Sequence, residues 1–408
     1  MQTMKTHLIG IGGVGMSALA VALAKNGVEV CGSDRALRTG GAEAAGNFPL
    51  LASLGIKCFP DDGSGIDESV DEVVVSTAIE DDNAALLRAK ALGIRITHRA
   101  AALAGALAGR KLVAVAGTCG KSTVTAMLGH VLAGCGLDPF CVNGANVPGW
   151  TGAVRGGKGE FAVAEVDESD KSLVAFKPYA AIVTNASADH YSKEEMDEVF
   201  DAFVRDIPGP VLDGRRETPP PVEGCPMPGR HNAANAAMAV EMAVRLGCPR
   251  EQAVAALRTF GGVERRMQRH GTKVFDDYAH NPEKLRAMWT ALAETRPGGI
   301  CAVWRPHGYA PLRKMLGALA AMFDDTVREC DRLLLLPVYD AGGTADRSVN
   351  SGDLAAAMKV CKAVLVADLD EAFAEMSVAK DSFATFAVCG ARDPRLPILA
   401  QRLGKEIG

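Results

Sequence analysis

No stretch of this 408-residue chain is long and apolar enough to span a bilayer, so no membrane-crossing helix is expected. No CxxC pair occurs among the eleven cysteines, which are scattered singly over the whole length. That spacing argues against a disulfide scaffold and fits a reduced, cytosolic setting. Clusters of Lys and Arg are missing as well, and the formal charge is -5. Without them the phosphates of a nucleic acid go unneutralised, which argues against a dedicated nucleic-acid binder. There is no run of like charge, no low-complexity tail and no repeat of solenoid period.

What is present is a globular composition, 48% hydrophobic and 23% charged, on a chain longer than one hydrophobic core usually serves. Two or three domains are the expectation. Behind Lys5, the segment Leu8 to Ala24 imitates a signal-peptide core, but four glycines interrupt it and the strand-like run Val28 to Cys31 follows directly. It therefore reads as part of a βαβ unit.

Short apolar runs alternate with Ala- and Leu-rich helical stretches from end to end, the pattern of an α/β fold with mostly parallel sheets. Three blocks are legible. The first predicts strands near His7–Ile11, Val28–Gly32 and Glu72–Ser76. In the second they fall at Lys111–Gly117, Phe161–Val166 and Ala181–Asn185, followed by helices at His231–Leu246 and Arg250–Thr259. The third starts near Arg269, with strands at Lys273–Asp277, Ile300–Trp304, Arg332–Pro337, Ala363–Ala367 and Thr385–Cys389. Seven of the twenty prolines lie between Pro208 and Pro228, so that segment reads as a loop or linker.

Gly10, Gly12 and Gly15 form a GxGxxG pattern between a strand and a helix, with Asp34 at the end of the next strand. Small residues let the backbone approach a diphosphate whose charge the helix N-terminus meets. The pattern fits a dinucleotide in a dehydrogenase and the diphosphate of a UDP-sugar equally well, and a glycine-rich packing turn is the plain alternative.

After the second block's first strand comes Gly117-Thr118-Cys119-Gly120-Lys121-Ser122-Thr123, then a helix. In such a turn backbone N–H groups surround phosphate oxygens, the Lys reaches the terminal phosphates and the following hydroxyl faces Mg²⁺. It is a compressed form, because the first glycine of a full Walker A would stand at Val115. Acidic residues at the end of a neighbouring strand, Glu165 to Asp170, are placed to supply hard oxygen ligands to that cation, or else form a solvated loop. Asn185 and Asp189-His190 close the following strand, and Gly229-Arg230-His231-Asn232 with Asn235 opens a helix, where an ordinary cap is the plain reading. Of eight histidines, four, at 190, 231, 280 and 307, fall in these motif positions or in Asp276-Asp277-Tyr278-Ala279-His280 and Pro306-His307.

Together these motifs resemble the Mur ligase family, in the family's order and over nearly the whole chain. The alanine-adding branch comes closest, through HLIGIGGVGMSALA, Gly32-Ser33-Asp34 and VVVSTAIEDDN. The resemblance implies three α/β domains, each a mostly parallel sheet with flanking helices. They are a Rossmann-like UDP-sugar domain over 1–109, a shortened P-loop ATP domain over 110–264 and a Rossmann-like domain for the incoming amino acid over 265–408. It implies a carbon–nitrogen ligase that uses ATP and Mg²⁺, with Mn²⁺ tolerated, to join an amino acid to UDP-N-acetylmuramate through an acyl phosphate in cell-wall synthesis. Gly10, Gly12, Gly13, Gly15, Met16, Ser17, Asp34, Ser76, Asp167, Ser169, Asp170 and His307 are then implied on substrates. On ATP fall Gly117, Thr118, Gly120, Lys121, Ser122 and Thr123, with His231, Asn232 and Asn235 towards adenine, Arg266 towards the phosphates and Asp277 on the ribose. Ser122, Glu165 and His190 become metal ligands, and Lys121, His190 and His280 catalytic. ATP would lie between the second and third blocks, completed by domain closure.

Three departures bear on the substrate. The branch usually reads DDYxHHP, whereas Asn281 replaces the second His; it usually has two arginines in PHRYTR, where this chain reads Pro306-His307-Gly308-Tyr309-Ala310-Pro311; and part of the central domain between His190 and Arg230 is missing. Arg305 and Arg313 are the nearby arginines that compensate on this reading. A ligase recycling wall peptides, one making another product, a nicotinamide oxidoreductase and a non-catalytic nucleotide-sugar-binding regulator are the alternatives. The oxidoreductase leaves GTCGKST unexplained.

Overall fold

In the computed structural model, which describes residues 4–39, 46–166, 172–186, 193–340 and 346–408, the apolar runs form three sheets. The first contains β1 (Lys5–Ile9), β2 (Glu29–Asp34), β3 (Lys57–Pro60), β4 (Glu72–Val75) and β5 (Arg95–His98), ordered β3-β2-β1-β4-β5 and parallel throughout. The second contains β6 (Lys111–Ala116), β7 (Phe140–Val142), β8 (Val154–Gly156), β9 (Phe161–Glu165), β10 (Ala180–Val183) and β11 (Val211–Asp213). Its order is β11-β10-β6-β9-β7-β8, and only β7 and β8 run antiparallel. The third contains β12 (Gln268–His270), β13 (Val274–Asp277), β14 (Ile300–Trp304), β15 (Arg332–Leu335), β16 (Ala363–Leu365) and β17 (Thr385–Cys389). Here the order is β12-β13-β17-β14-β15-β16, with β12 antiparallel to β13.

Two compact units hold these sheets. Residues 1–226 with 234–263 form one, and residues 227–233 with 264–408 the other. In the first unit, one core runs through both sheets, from Leu8, Leu19 and Leu23 to Ala114, Phe140 and Val154. The helix Val14–Lys25 explains its own composition. Met16 through Leu23 are all buried, because one side packs on the first sheet and the other faces β7 and β8 of the second. Asn26 just beyond it donates to the carbonyl of Ala106 at 2.7 Å. A helix buried on all sides must be apolar all round, which is why it imitates a leader segment.

In the second unit, side chains alternate across the sheet. Phe275, Ala302, Leu333 and Ala387 pack on the helix Pro282–Thr295, while Val274, Val303, Leu334 and Val388 pack on the helix Leu396–Ile407. The proline-rich segment 208–228 is mostly irregular, but it contributes the edge strand β11, three residues that pair on one side only. An edge position tolerates flanking prolines because its outer N–H groups need no partner in the sheet.

Candidate active site

Within each unit, most candidates on described residues follow the carboxyl ends of parallel strands, where loops of open α/β sheets bind ligands. Asp167, Ser169, Asp170 and His190 lie outside the described residues.

At the end of β1, the chain needs a left-handed residue at Gly10 (φ 78°), and Gly12 has no room for a side chain, since a Cβ there would stand 2.5 Å from the Phe48 ring. Asp34 shapes this turn. One of its oxygens accepts from the N–H of Gly12 and the other from that of Ala36, each at 2.9 Å. Gly13 caps the helix Val14–Lys25 through its backbone alone. Met16 and Ser17 are buried, and the Ser17 hydroxyl donates to the Val14 carbonyl at 3.0 Å. What the loop offers an anion is therefore backbone N–H groups of the first turn. Arg99 adds a charge that sequence reading missed; its guanidinium lies 3.3 Å from where a Cβ on Gly15 would sit. Ser76, half-buried, follows β4 on the same sheet edge.

The loop after β6 is fastened to the residues following β10. The hydroxyl of Thr118 and the N–H of Cys119 donate to the Asn185 side-chain oxygen at 2.6 and 3.0 Å. The Asn185 amide and the Thr184 hydroxyl both donate back to the Cys119 carbonyl. Gly117 (φ 122°) and Gly120 (φ 85°) occupy conformations that a side chain resists. The Lys121 ammonium folds over the loop to donate to the Gly117 carbonyl at 2.6 Å, and Ser122 and Thr123 are buried in the first turn of the helix Lys121–Gly134. Asn235 abuts Gly120, its side-chain oxygen 2.6 Å from where a Cβ would stand. Thr184 is the residue that sequence reading overlooked here, and its signal was a hydroxyl at the end of the strand beside the loop.

Glu165 closes β9, paired with Val115 of β6, and its carboxylate accepts from the N–H of Gly144 at 2.9 Å. The Glu165 carboxylate and the Ser122 hydroxyl are hard oxygen donors, the kind that could hold Mg²⁺. Among the described residues no cluster of three or more His, Cys, Asp or Glu side chains forms a metal cage, and the candidate ligand His190 lies outside them.

On the third sheet, Asp277 accepts from the N–H groups of Met267 (2.7 Å) and Ala279 (2.8 Å). Burial raises its pKa, opposed first by the Arg266 charge. Arg266 itself stacks over the Tyr278 ring at 5.1 Å. His231 has its pKa lowered by burial, and the Asp277 charge opposes this. Asn232 is buried and donates to the Pro228 carbonyl at 2.7 Å. His280 and His307 meet edge to face with ring centres 4.9 Å apart. Burial pushes His280 down to about 3, so its imidazole is neutral. Because the Tyr278 carbonyl 2.9 Å from Nδ1 can only accept, Nδ1 carries the proton and Nε2 keeps its lone pair.

Beneath this cluster sits Asp276, fully buried. One oxygen meets Arg265 at 3.2 Å and the other has no hydrogen-bond partner. Burial, outweighing Arg265, raises it to about 6. A raised carboxyl contributes stability that is present below its unfolded pKa of 3.8 and lost as pH rises through about 6. Wild type should thus lose about 2 kcal/mol relative to Asp276→Asn between pH 4 and 7.5. Paired urea titrations across that range check this, and a constant difference between the two proteins refutes it. The comparison is needed because His7, lowered to about 4 by burial, and His280 gain stability over part of the same range.

The family model described as "Mur ligase family, catalytic domain" matches residues 5–111, and "Mur ligase, glutamate ligase domain" matches 264–392. UDP-N-acetylmuramate–L-alanine ligases of Sinorhizobium medicae and Rhizobium meliloti are 33% and 34% identical to the chain, in alignments that span 85% of it and 84% of each relative. The chain belongs to the Mur ligase family. It is an ATP-dependent ligase that forms amide bonds, with the family's three mostly parallel sheets and flanking helices. The UDP-N-acetylmuramate–alanine ligase of Thermotoga maritima superposes with a TM-score of 0.81 at 25% identity over 98% of both chains. A murein peptide ligase of Psychrobacter arcticus shares the fold at 18% identity, with a TM-score of 0.65 over 99% of both chains.

Within this Mur ligase both arginines expected to compensate are engaged in ion pairs. Arg305 is spent on the buried Asp393 at 2.5 Å and on the Pro337 carbonyl. Arg313 pairs with Asp346 at 2.8 Å and donates to Ser348. Releasing Arg305 would leave the buried Asp393 to Arg395 alone.

Proposed function

We propose that this Mur ligase joins L-alanine to the carboxylate of UDP-N-acetylmuramate in the synthesis of peptidoglycan precursors, a cytoplasmic reaction. The observation that carries the reading is the loop from Gly117 to Thr123, a turn with Lys121 at its mouth and Glu165 on the adjacent strand. Relatives of that named activity at 33–34% identity support it. We read the three sheets as a UDP-sugar domain over 1–109, a shortened ATP domain over 110–264 and an amino-acid domain over 265–408.

A carboxylate oxygen of the sugar substrate attacks the γ-phosphorus of ATP, the bond to the β-phosphate oxygen breaks, and ADP leaves an acyl phosphate. Lys121 and the loop N–H groups hold the charge spreading over the transferred group. A Mg²⁺ ion held by Ser122 and Glu165, with His190, would neutralise phosphate charge when bound, and Mn²⁺ is the tolerated substitute. Thr118, Gly120 and Thr123 complete the phosphate cradle, Asn235, Asn232 and His231 serve the adenine, Arg266 the phosphates and Asp277 the ribose through its remaining lone pairs. The amine, once deprotonated, attacks the acyl carbon and phosphate departs. His280 is too weakly basic to act as a strong proton acceptor, and its Nε2 lone pair suits orienting the amine. The substrate side takes Gly10, Gly12, Gly13, Gly15, Asp34 and Ser76 for the UDP-sugar and His307 for the amino acid, with Asp167, Ser169 and Asp170 between them in the chain.

Phosphate release tests this directly. It should require ATP, UDP-N-acetylmuramate and one amino acid together, L-alanine exceeding glycine, L-serine and short peptides. Release indifferent to the UDP-sugar overturns the cell-wall assignment, and release driven best by a peptide moves it to wall recycling.

A further inference from the structure

We infer that Arg392 supplies the guanidinium that binds the carboxylate of the incoming amino acid, an inference that rests on the ligase reading above. The sheet order puts β17 between β13 and β14, with Cys389 paired to both Asp277 and Trp304. The loop leaving β17 therefore emerges between the His280 segment and the His307 segment. It is held on both sides, since the N–H of Gly390 donates to the Asp277 carbonyl and the N–H of Arg305 to that of Cys389.

Ala391 and Asp393 are both buried, and Asp393 is gripped by Arg305 and Arg395. Arg392 between them is exposed and adopts φ 66°, a left-handed conformation that a non-glycine residue resists. It makes no ion pair or hydrogen bond among the described residues. One guanidinium nitrogen lies 3.9 Å from where a Cβ on Gly308 would stand. Gly308 and Pro311 occupy the two positions at which the resembling branch carries arginines. Arg305 and Arg313 are held in ion pairs, so the exposed guanidinium beside Gly308, which follows His307 in the chain, comes from the neighbouring loop. Strained backbone retained at an exposed position, with a cation beside Gly308, is the pattern of a binding residue. A planar fork of N–H donors matches a carboxylate in two parallel hydrogen bonds.

The test titrates the amino acid that wild type turns over fastest, and its carboxamide, at saturating ATP and UDP-N-acetylmuramate. Arg392→Ala should raise the KM of the acid by about 30- to 100-fold while kcat changes less than about threefold. The preference of wild type for the acid over its amide should collapse in the variant, and Arg392→Lys should restore part of it. Arg392→Gly controls for folding, because glycine accepts this φ. It should raise Tm by about 2–4 °C while losing affinity, opposite signs that a merely structural role does not produce. An unchanged KM, or an acid preference retained in Arg392→Ala, overturns the inference. Failure of wild type to exchange labelled ADP into ATP with UDP-N-acetylmuramate alone overturns the ligase reading instead, and this inference with it.

Discussion

Lys121→Ala lowers kcat/KM for ATP-dependent phosphate release by about 10³-fold or more and moves Tm by no more than a few degrees. The loop is shaped by other contacts, so the fold survives. Gly117 and Gly120 set its backbone, and Thr184 and Asn185 hold Thr118 and Cys119 in place. Lys121 stands half-buried at the mouth, its ammonium donating to the Gly117 carbonyl. In the proposed reaction negative charge spreads over the transferred phosphoryl oxygens, and a preorganised cation there stabilises the transition state more than the ground state. Losing it appears in kcat more than in KM. Lys121→Arg retains the charge but not the compact geometry, so it should recover only part of the rate. Phosphate release by Lys121→Ala within tenfold of wild type contradicts this role.

The contrast between what the chain announces and what it conceals follows burial. Central strands such as Ile300–Trp304 and Thr385–Cys389 are continuous apolar runs because both faces are covered, and their predicted limits coincide with the observed ones. The strands β3, β5, β7, β8, β11 and β12 were not legible. All are short, and most lie at or next to a sheet edge; Arg95 and Ile96 in β5 face solvent, so no alternation marks it. The phosphate loop was legible because three glycines-and-lysine positions must follow one strand at fixed spacing. Asn185 was singled out too, but Thr184 was not, since it reaches the loop only because β10 lies beside β6, a pairing of residues more than sixty apart in the chain. The partner of Arg305 was hidden for the same reason. Sequence adjacency to His307 suggested a substrate role, while the buried acid that claims it arrives from the far end of the chain.

Gly117→Ala should abolish activity and also destabilise the first compact unit, which separates it from Lys121→Ala. A Cβ at position 117 would stand 2.2 Å from the Thr184 hydroxyl, 2.9 Å from the Thr184 backbone nitrogen and 3.0 Å from that of Asn185, in a conformation with φ 122°. Side-chain rotation relieves only the first of these. The two backbone nitrogens belong to residues that follow β10, whose ladder with β6 includes the bond from the Thr184 N–H to the Ala116 carbonyl. Relief therefore requires the loop to leave Asn185, undoing the hydrogen bonds that shape it. The expected cost is about 2–4 kcal/mol, seen as a Tm lowered by about 5–12 °C, with kcat/KM reduced about 10³-fold or more. The double variant Gly117→Ala/Thr184→Gly discriminates the cause. It removes the hydroxyl clash but leaves both nitrogens in place and deletes the bond to the Cys119 carbonyl, so activity should stay lost. Thr184→Ser, which keeps that bond, should remain within about threefold of wild type. If the double variant instead regains activity, the side chain of Thr184 and not the backbone behind it is what demands glycine at 117.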